Sequence, residues 1–190
     1  PKQSDVIKTA VRSAQELMHG KRHSEALAML AKLDTLAGKS AEETYLIERT
    51  RVAIASLAND DTLLIKSMEA ALASGQSPAG ERSEFLHLLA RKYFNRMNYP
   101  RAIAWSSRYV DESGKDPAMR RLQLLALYLN NDFVRTQKEV AADIQAEEAA
   151  GRKPSEEQLR LLVSCAQKLD DKVAVASAME KFAVHYPGKK

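Results

Sequence analysis

Apolar residues recur along this chain at three- and four-residue spacing, in short blocks separated by polar turn residues. Between residues 79 and 113, Phe85, Leu86, Leu89, Ala90, Tyr93 and Met97 form one stripe, and Ala102, Ile103, Trp105 and Tyr109 form a second. Between 155 and 186 the stripes are Leu159, Leu162, Val163, Ala166 and Leu169, then Val173, Val175, Ala176, Met179, Phe182 and Ala183. Recurrence at i, i+3, i+4 and i+7 puts such residues on one face of an α-helix. Alternating strand-like runs are absent. The pattern predicts helices near 5–18, 24–37, 41–58, 62–74, 79–96, 100–113, 117–130, 133–150, 155–169 and 172–186.

The punctuation between the stripes is regular. Gly38, Gly75, Gly114, Gly151 and Gly188 follow one another at intervals of 37 to 39 residues. Glycine is favoured just past a helix end because it enters the left-handed conformation without a Cβ penalty. Helix-start signals follow four of them: Ser40, Ser77-Pro78, Asp116-Pro117 and Pro154-Ser155. Ser or Asp caps a helix, and Pro suits its first position. Ser40 with Glu43 and Ser155 with Gln158 have capping-box spacing. A second set of turn signals divides each interval: 19–23, Asn59-Asp60-Asp61, Asn98-Tyr99-Pro100, Asn130-Asn131-Asp132 and Asp170-Asp171-Lys172.

A fixed period of this length signals a repeat array. The expected fold is all-α: a right-handed α–α superhelix of about five antiparallel helix pairs, at 5–37, 41–74, 79–113, 117–150 and 155–186, in a single domain over 1–190. A lone hairpin cannot bury a stripe on both helices, whereas stacked neighbours can. Repeat arrays need polar capping elements, and Gly188 completes the beat with almost nothing after it. The natural chain is therefore expected to continue past Lys190. Because the sequence starts at Pro1, a leader is expected to have preceded it.

Composition narrows the function. The chain is 45% hydrophobic and 28% charged, as in a folded protein, with a net charge of only +4. Lys and Arg are scattered, so nucleic acid is not the expected partner. One cysteine, Cys165, rules out an internal disulfide, and its apolar setting suits a core thiol. No apolar run is long enough to span a bilayer.

The stretch Leu89 to Ile103 resembles a tetratricopeptide repeat (TPR), with Leu86, Leu89, Ala90, Tyr93, Tyr99 and Ala102 in that motif's places. Hairpin one is similar through Ala14, Leu17, His23, Ala26 and Leu30. Hairpin four is similar through Leu127, Asn131-Asp132-Phe133 and Val140, with Thr136 where Ala is usual. Hairpin five matches through Leu159, Leu162, Val163, Ala166, Asp170-Asp171 and Met179. Hairpin two departs most, with Asp61 and Leu64 replacing the turn aromatic and the small residue. More loosely, 102–109 and 171–187 resemble exported proteobacterial repeat proteins, which implies a bacterial, periplasmic setting, with a cytoplasmic one as the alternative.

No catalytic set emerges. His19, His23, His87 and His185 lack metal-ligand spacing, and adjacent carboxylates such as Glu147-Glu148 diverge on a helix. No cofactor is implied, and the reading is not an enzyme. The TPR resemblance implies that the first helix of each pair lines a concave groove. One groove register then reads Val11, Arg49, His87, Arg121, Arg160. The register one turn later reads Gln15, Ala53, Arg91, Leu125, Ser164, and a deeper one Met18, Ser56, Phe94, Tyr128, Gln167. The candidate ligand-groove residues are Arg49, His87, Arg91, Phe94, Arg121, Tyr128 and Arg160. Arg matches carboxylates in bidentate fashion, so the expected partner is another protein or peptide, an acidic one. The Lys and Asn of the chaperone-type carboxylate clamp are replaced by Val11 and Gln15. The alternatives are a structural or oligomerisation module and, after that, a helical-repeat RNA binder.

Overall fold

The computed structural model describes residues 2–189. Among these are ten α-helices and no strand. They are α1 (Gln3–His19), α2 (His23–Ala31), α3 (Ala41–Leu57), α4 (Asp61–Ala73), α5 (Ala79–Asn95), α6 (Tyr99–Ser113), α7 (Pro117–Leu129), α8 (Phe133–Ala149), α9 (Glu156–Lys168) and α10 (Lys172–His185). All ten predicted helices are present. One differs in kind: the second helix of hairpin one ends early and tightens into a 3-10 turn, Lys32–Thr35.

Local chemistry accounts for the breaks. Ser40 and Ser155 accept from the backbone N–H of Glu43 and Gln158, whose side chains reach back to the cap residue's N–H. Both are complete capping boxes. Asp60, Asn98, Asp132 and Asp171 cap the second helices of their hairpins through side-chain oxygens. The five periodic glycines all have positive φ. Inside the hairpins the left-handed residues are Lys21, Asn59, Met97, Asn131 and Asp170. In two hairpins this departs from the residue types that favour the conformation. Gly20 keeps a negative φ while Lys21 turns left-handed, and Met97 takes that role beside Asn98, which caps α6 instead.

The chain divides into two compact units, Pro1–Leu89 and Ala90–Lys190, with the boundary inside α5. In the first, Ile7, Val11, Ala14, Ala26, Leu30, Leu33, Ile47 and Ile54 form a continuous core. In the second, Leu124, Val140, Ile144 and Leu159 do so, with Leu161, Leu162, Phe182 and Tyr186 packed against them. Fully burying each large aliphatic side chain contributes about 1.5–3 kcal/mol. The small residues of the repeat pattern are where helices approach: Ala14, Ala26, Ala90, Ala102 and Ala166 are wholly inaccessible. Thr136 is too, and its hydroxyl is satisfied by donating to the Asp132 carbonyl, 2.7 Å away.

Two details of the expected stripes are corrected. Val11 lies in the core rather than in a groove. On α10 the buried residue is Ala178, while Val173 and Met179 are exposed. The helix packs against α9, with Lys181 and His185 reaching Glu148 of α8, and its opposite side is exposed at Val173, Met179 and Val184.

Candidate functional site

Arg49, His87, Arg121 and Arg160 each lie ten positions before the left-handed residue that closes their helix: Asn59, Met97, Asn131 and Asp170. They therefore share one register on α3, α5, α7 and α9. What differs is how each is engaged.

In the first unit the Arg49 Nε donates to Glu81 Oε1 at 2.7 Å. The other oxygen of Glu81 accepts from the Tyr45 hydroxyl. Burial, reinforced by that carboxylate, pushes the Tyr45 phenol up to about 12. In the second unit the Arg121 Nε donates to Glu157 Oε1, again at 2.7 Å. Glu81 and Glu157 both stand in the first turn of the next hairpin's first helix. One arrangement is thus built twice: an arginine in mid-helix reaches a carboxylate 32 or 36 residues on. Both guanidinium side chains stay open to solvent, at 61% and 65% exposure, so only the Nε side is taken up.

Arg160 behaves differently. It pairs with Glu156 in its own helix and lies over the Phe182 ring, 5.1 Å from the centroid, so both contacts are inside hairpin five. Arg91 is exposed and has no ion pair among the described residues. His87 is half-buried. The two aromatics are also engaged internally. Phe94 meets Tyr99 edge-on at 5.7 Å. Tyr128 meets Phe133 edge-on at 5.2 Å and shares a 2.6 Å hydrogen bond with Ser164.

Each unit has a cleft beside its paired arginine. In the first, a hollow of about 330 Å³ is bounded by Gln15 and Met18 of α1, Arg49 and Ala53 of α3, and Glu81 and Phe85 of α5. Four of its eight lining residues are groove positions expected from the repeat register: Gln15, Met18, Arg49 and Ala53. In the second, a cleft of about 640 Å³ has Arg121 and Leu125 in its wall. His87, Arg91, Phe94, Tyr128 and Arg160 line neither. Nothing local marks Glu81 as the partner of Arg49, because 32 residues separate them, whereas Glu156 stands one turn before Arg160, at a spacing where helical side chains meet. The pairing of Arg121 with Glu157, 36 residues on, depends on how two hairpins stack.

The remaining chemistry is quiet. Cys165 is fully buried, and burial pushes its thiol up to about 11, away from nucleophilic use. Among the described residues no group of three His, Cys, Asp or Glu could hold a metal ion. Nor, among the described residues, is any helix long and apolar enough to cross a membrane.

No protein-family model matches this chain, and no curated protein matches it. Solved structures do. A mutant of MamA superposes with a TM-score of 0.56 at 10% identity, covering 99% of this chain and 94% of that one. YrrB, a TPR protein with an unusual peptide-binding site, gives 0.53 at 12% identity over 99% and 94%. A kinesin light chain candidate from Podosopora anserina, with nearly identical TPR-like repeats, gives 0.51 at 14% over 94% and 93%. The fold is that of tetratricopeptide repeat proteins. Such low identity with full-length coverage means that the TPR fold here rests on spacing and packing volume, with few side chains held in common. The site must therefore be judged on this chain's own residues.

Proposed function

We infer that the protein is a non-enzymatic scaffold that binds a segment of another protein along the first helices of its hairpins. The observation that carries this reading is the twice-built arginine. Arg49 and Arg121 are each tethered through Nε to a carboxylate of the next hairpin and bordered by a cleft, with the rest of the fork open. Tethering lowers the entropy lost when a partner's carboxylate docks on the free edge. Arg91, on α5, adds a third exposed cation on a first helix, untethered and outside both clefts. YrrB is described as having a peptide-binding site, and the same use of the fold is proposed for this chain.

The test is capture of a partner from the native extract, followed by calorimetric titration of the captured segment at two salt concentrations. Arg91→Ala should weaken binding by about 1.5–3 kcal/mol, the scale of a charge-assisted hydrogen bond. Arg121→Ala should cost less, because Glu157 already shares its charge. Neither should move stability by more than about 0.5 kcal/mol, and added salt should weaken the complex. Salt-independent binding that survives both substitutions would remove these arginines from the interface.

A second reading, self-assembly, is favoured by α10. Its outward arc carries Val173, Met179 and Val184, the first and last 81% and 72% exposed. Such a face is a candidate contact between copies. Sedimentation over a concentration series distinguishes the readings. Reversible dimerisation abolished by Val184→Glu supports assembly, and a monomer throughout supports the scaffold alone.

A further inference from the structure

The larger cleft of the second unit extends well past the arginine register. Its wall is built where two successive inter-hairpin links come together: Lys115 to Pro117 before α7, and Arg152, Lys153 and Ser155 before α9. Its apolar surface comes from Val110, Leu124, Leu125, Ala146 and Leu161. At about 640 Å³ it lies within the size range of ligand pockets, roughly 300–1,000 Å³.

The charges around it are unevenly used. Five cationic side chains, Lys115, Arg120, Arg121, Arg152 and Lys153, stand against four carboxylates, Asp116, Asp143, Glu147 and Glu157. Each carboxylate already has its own partner. Asp143 takes two hydrogen bonds from Arg120, at 2.8 and 3.1 Å. Glu147 takes two from Arg152, at 2.7 and 3.3 Å. Glu157 takes the Nε of Arg121. Asp116 caps α7 and accepts from the Tyr109 hydroxyl at 3.2 Å. The N-terminus of α9 is closed by its own Ser155–Gln158 box, so neither helix end is left for an anion.

The two lysines are what remains. Lys115 is exposed and adds only a long-range field at Glu147. Lys153 is held 3.7 Å above the Tyr186 ring, and that ring is anchored by a 2.9 Å hydrogen bond from its hydroxyl to the Pro154 carbonyl. Two ammonium groups without carboxylates thus stand at the rim of an apolar hollow whose own acids are neutralised. The matching ligand pairs aliphatic side chains with carboxylates.

We propose that this cleft is a peptide subsite that seats a leucine-like anchor from a partner segment, with flanking Asp or Glu residues received by Lys115 and Lys153. The proposal rests on the scaffold reading, yet uses residues that the arginine register does not contain.

The experiment uses the full chain and a short fluorescein-labelled peptide of alternating leucine and glutamate. A leucine–lysine and a serine–glutamate peptide serve as controls. Only the leucine–glutamate peptide should raise the polarisation signal, and it should shift the methyl resonances of Leu125 and Ala146. Lys115→Ala and Lys153→Ala should each weaken binding about fivefold, the scale of an exposed charged contact. Ala146→Trp, at an exposed lining position that tolerates bulk without entering the core, should abolish it. Lys66→Ala, at an exposed position of the other unit outside both clefts, should leave it unchanged. No binding at millimolar peptide, equal binding of the serine–glutamate peptide, or binding untouched by Ala146→Trp overturns the proposal. If Arg91→Ala weakens binding while the lysine and tryptophan variants do not, the subsite falls and the scaffold reading stands.

Discussion

Met97 shows what a single residue contributes. It ends α5 at φ 57°, is exposed, and fills a place that glycine or asparagine occupies more cheaply. A non-glycine residue held left-handed costs about 1–3 kcal/mol. Glycine gives back about 0.4–1 kcal/mol through the entropy of the unfolded chain. Met97→Gly should therefore stabilise the protein by roughly 0.5–1 kcal/mol, read as a higher urea midpoint at unchanged slope. Two weak acids, the buried Cys165 and the half-buried Tyr45, set a second expectation. The Cys165 thiol is raised from 9.0 to about 11 and the Tyr45 phenol from 10.0 to about 12. Each ionises more readily in the unfolded chain, so the folded state binds more protons above pH 9 and stability falls as pH rises. Thermal melts should hold up to about pH 9 and decline between 9 and 12. Cys165→Ser and Tyr45→Phe should each flatten part of that decline. A thiol-labelling reagent at pH 8 should modify Cys165 only after denaturant is added.

At the scale of the helix, small residues govern how closely elements pack. On α6 the fully buried residues are Ala102 and Ser106, and the latter's hydroxyl is turned back onto the Ile103 carbonyl at 2.9 Å. Space at Ala102 is set by backbone approach, and a larger side chain cannot be absorbed by a rotamer change. Ala102→Leu should cost about 1–3 kcal/mol in equilibrium unfolding. Ser155→Ala removes one half of a capping box and should cost about 1 kcal/mol. Helix α10 marks where stripe reading fails. Val173, Val175, Ala176, Met179, Phe182 and Ala183 keep helical spacing and share about half of the circumference, yet the covered arc is centred to one side of them, at Ala178. Spacing identifies a helix; which arc is covered depends on the neighbours, and α10 is met on one side, by α9 and the end of α8.

On the scale of whole units, ion pairs tie the last hairpin of the second unit to the end of α8 and brace it internally. Glu148 is held below the usual carboxylate range by hydrogen bonds from His185 and Lys181, and Glu156 by Lys189 and Arg160. Such depressed groups contribute stability that is present above about pH 4.5 and lost as the pH falls through their lower folded values. Hydrogen exchange on α8 and α10 should therefore quicken as the pH is lowered from 5 towards 3, beyond the intrinsic pH effect. High salt at pH 5 should reproduce part of it, because these pairs are exposed to solvent.

The sequence by itself determined the ten helices, their caps and the glycine-marked period. Each of these depends on backbone conformation and on neighbours within four residues, which the chain carries locally. It also placed Arg49, His87, Arg121 and Arg160 in one register, because that register is counted from a local turn. Only the tertiary structure decided what became of those side chains. Glu81 meets Arg49 across 32 residues and Glu157 meets Arg121 across 36, so both pairings are set by the offset between stacked hairpins. The same offset brings two links and two unmatched lysines around an apolar hollow. A helical stripe records that a face is covered, but the partner that covers it is written in another part of the chain.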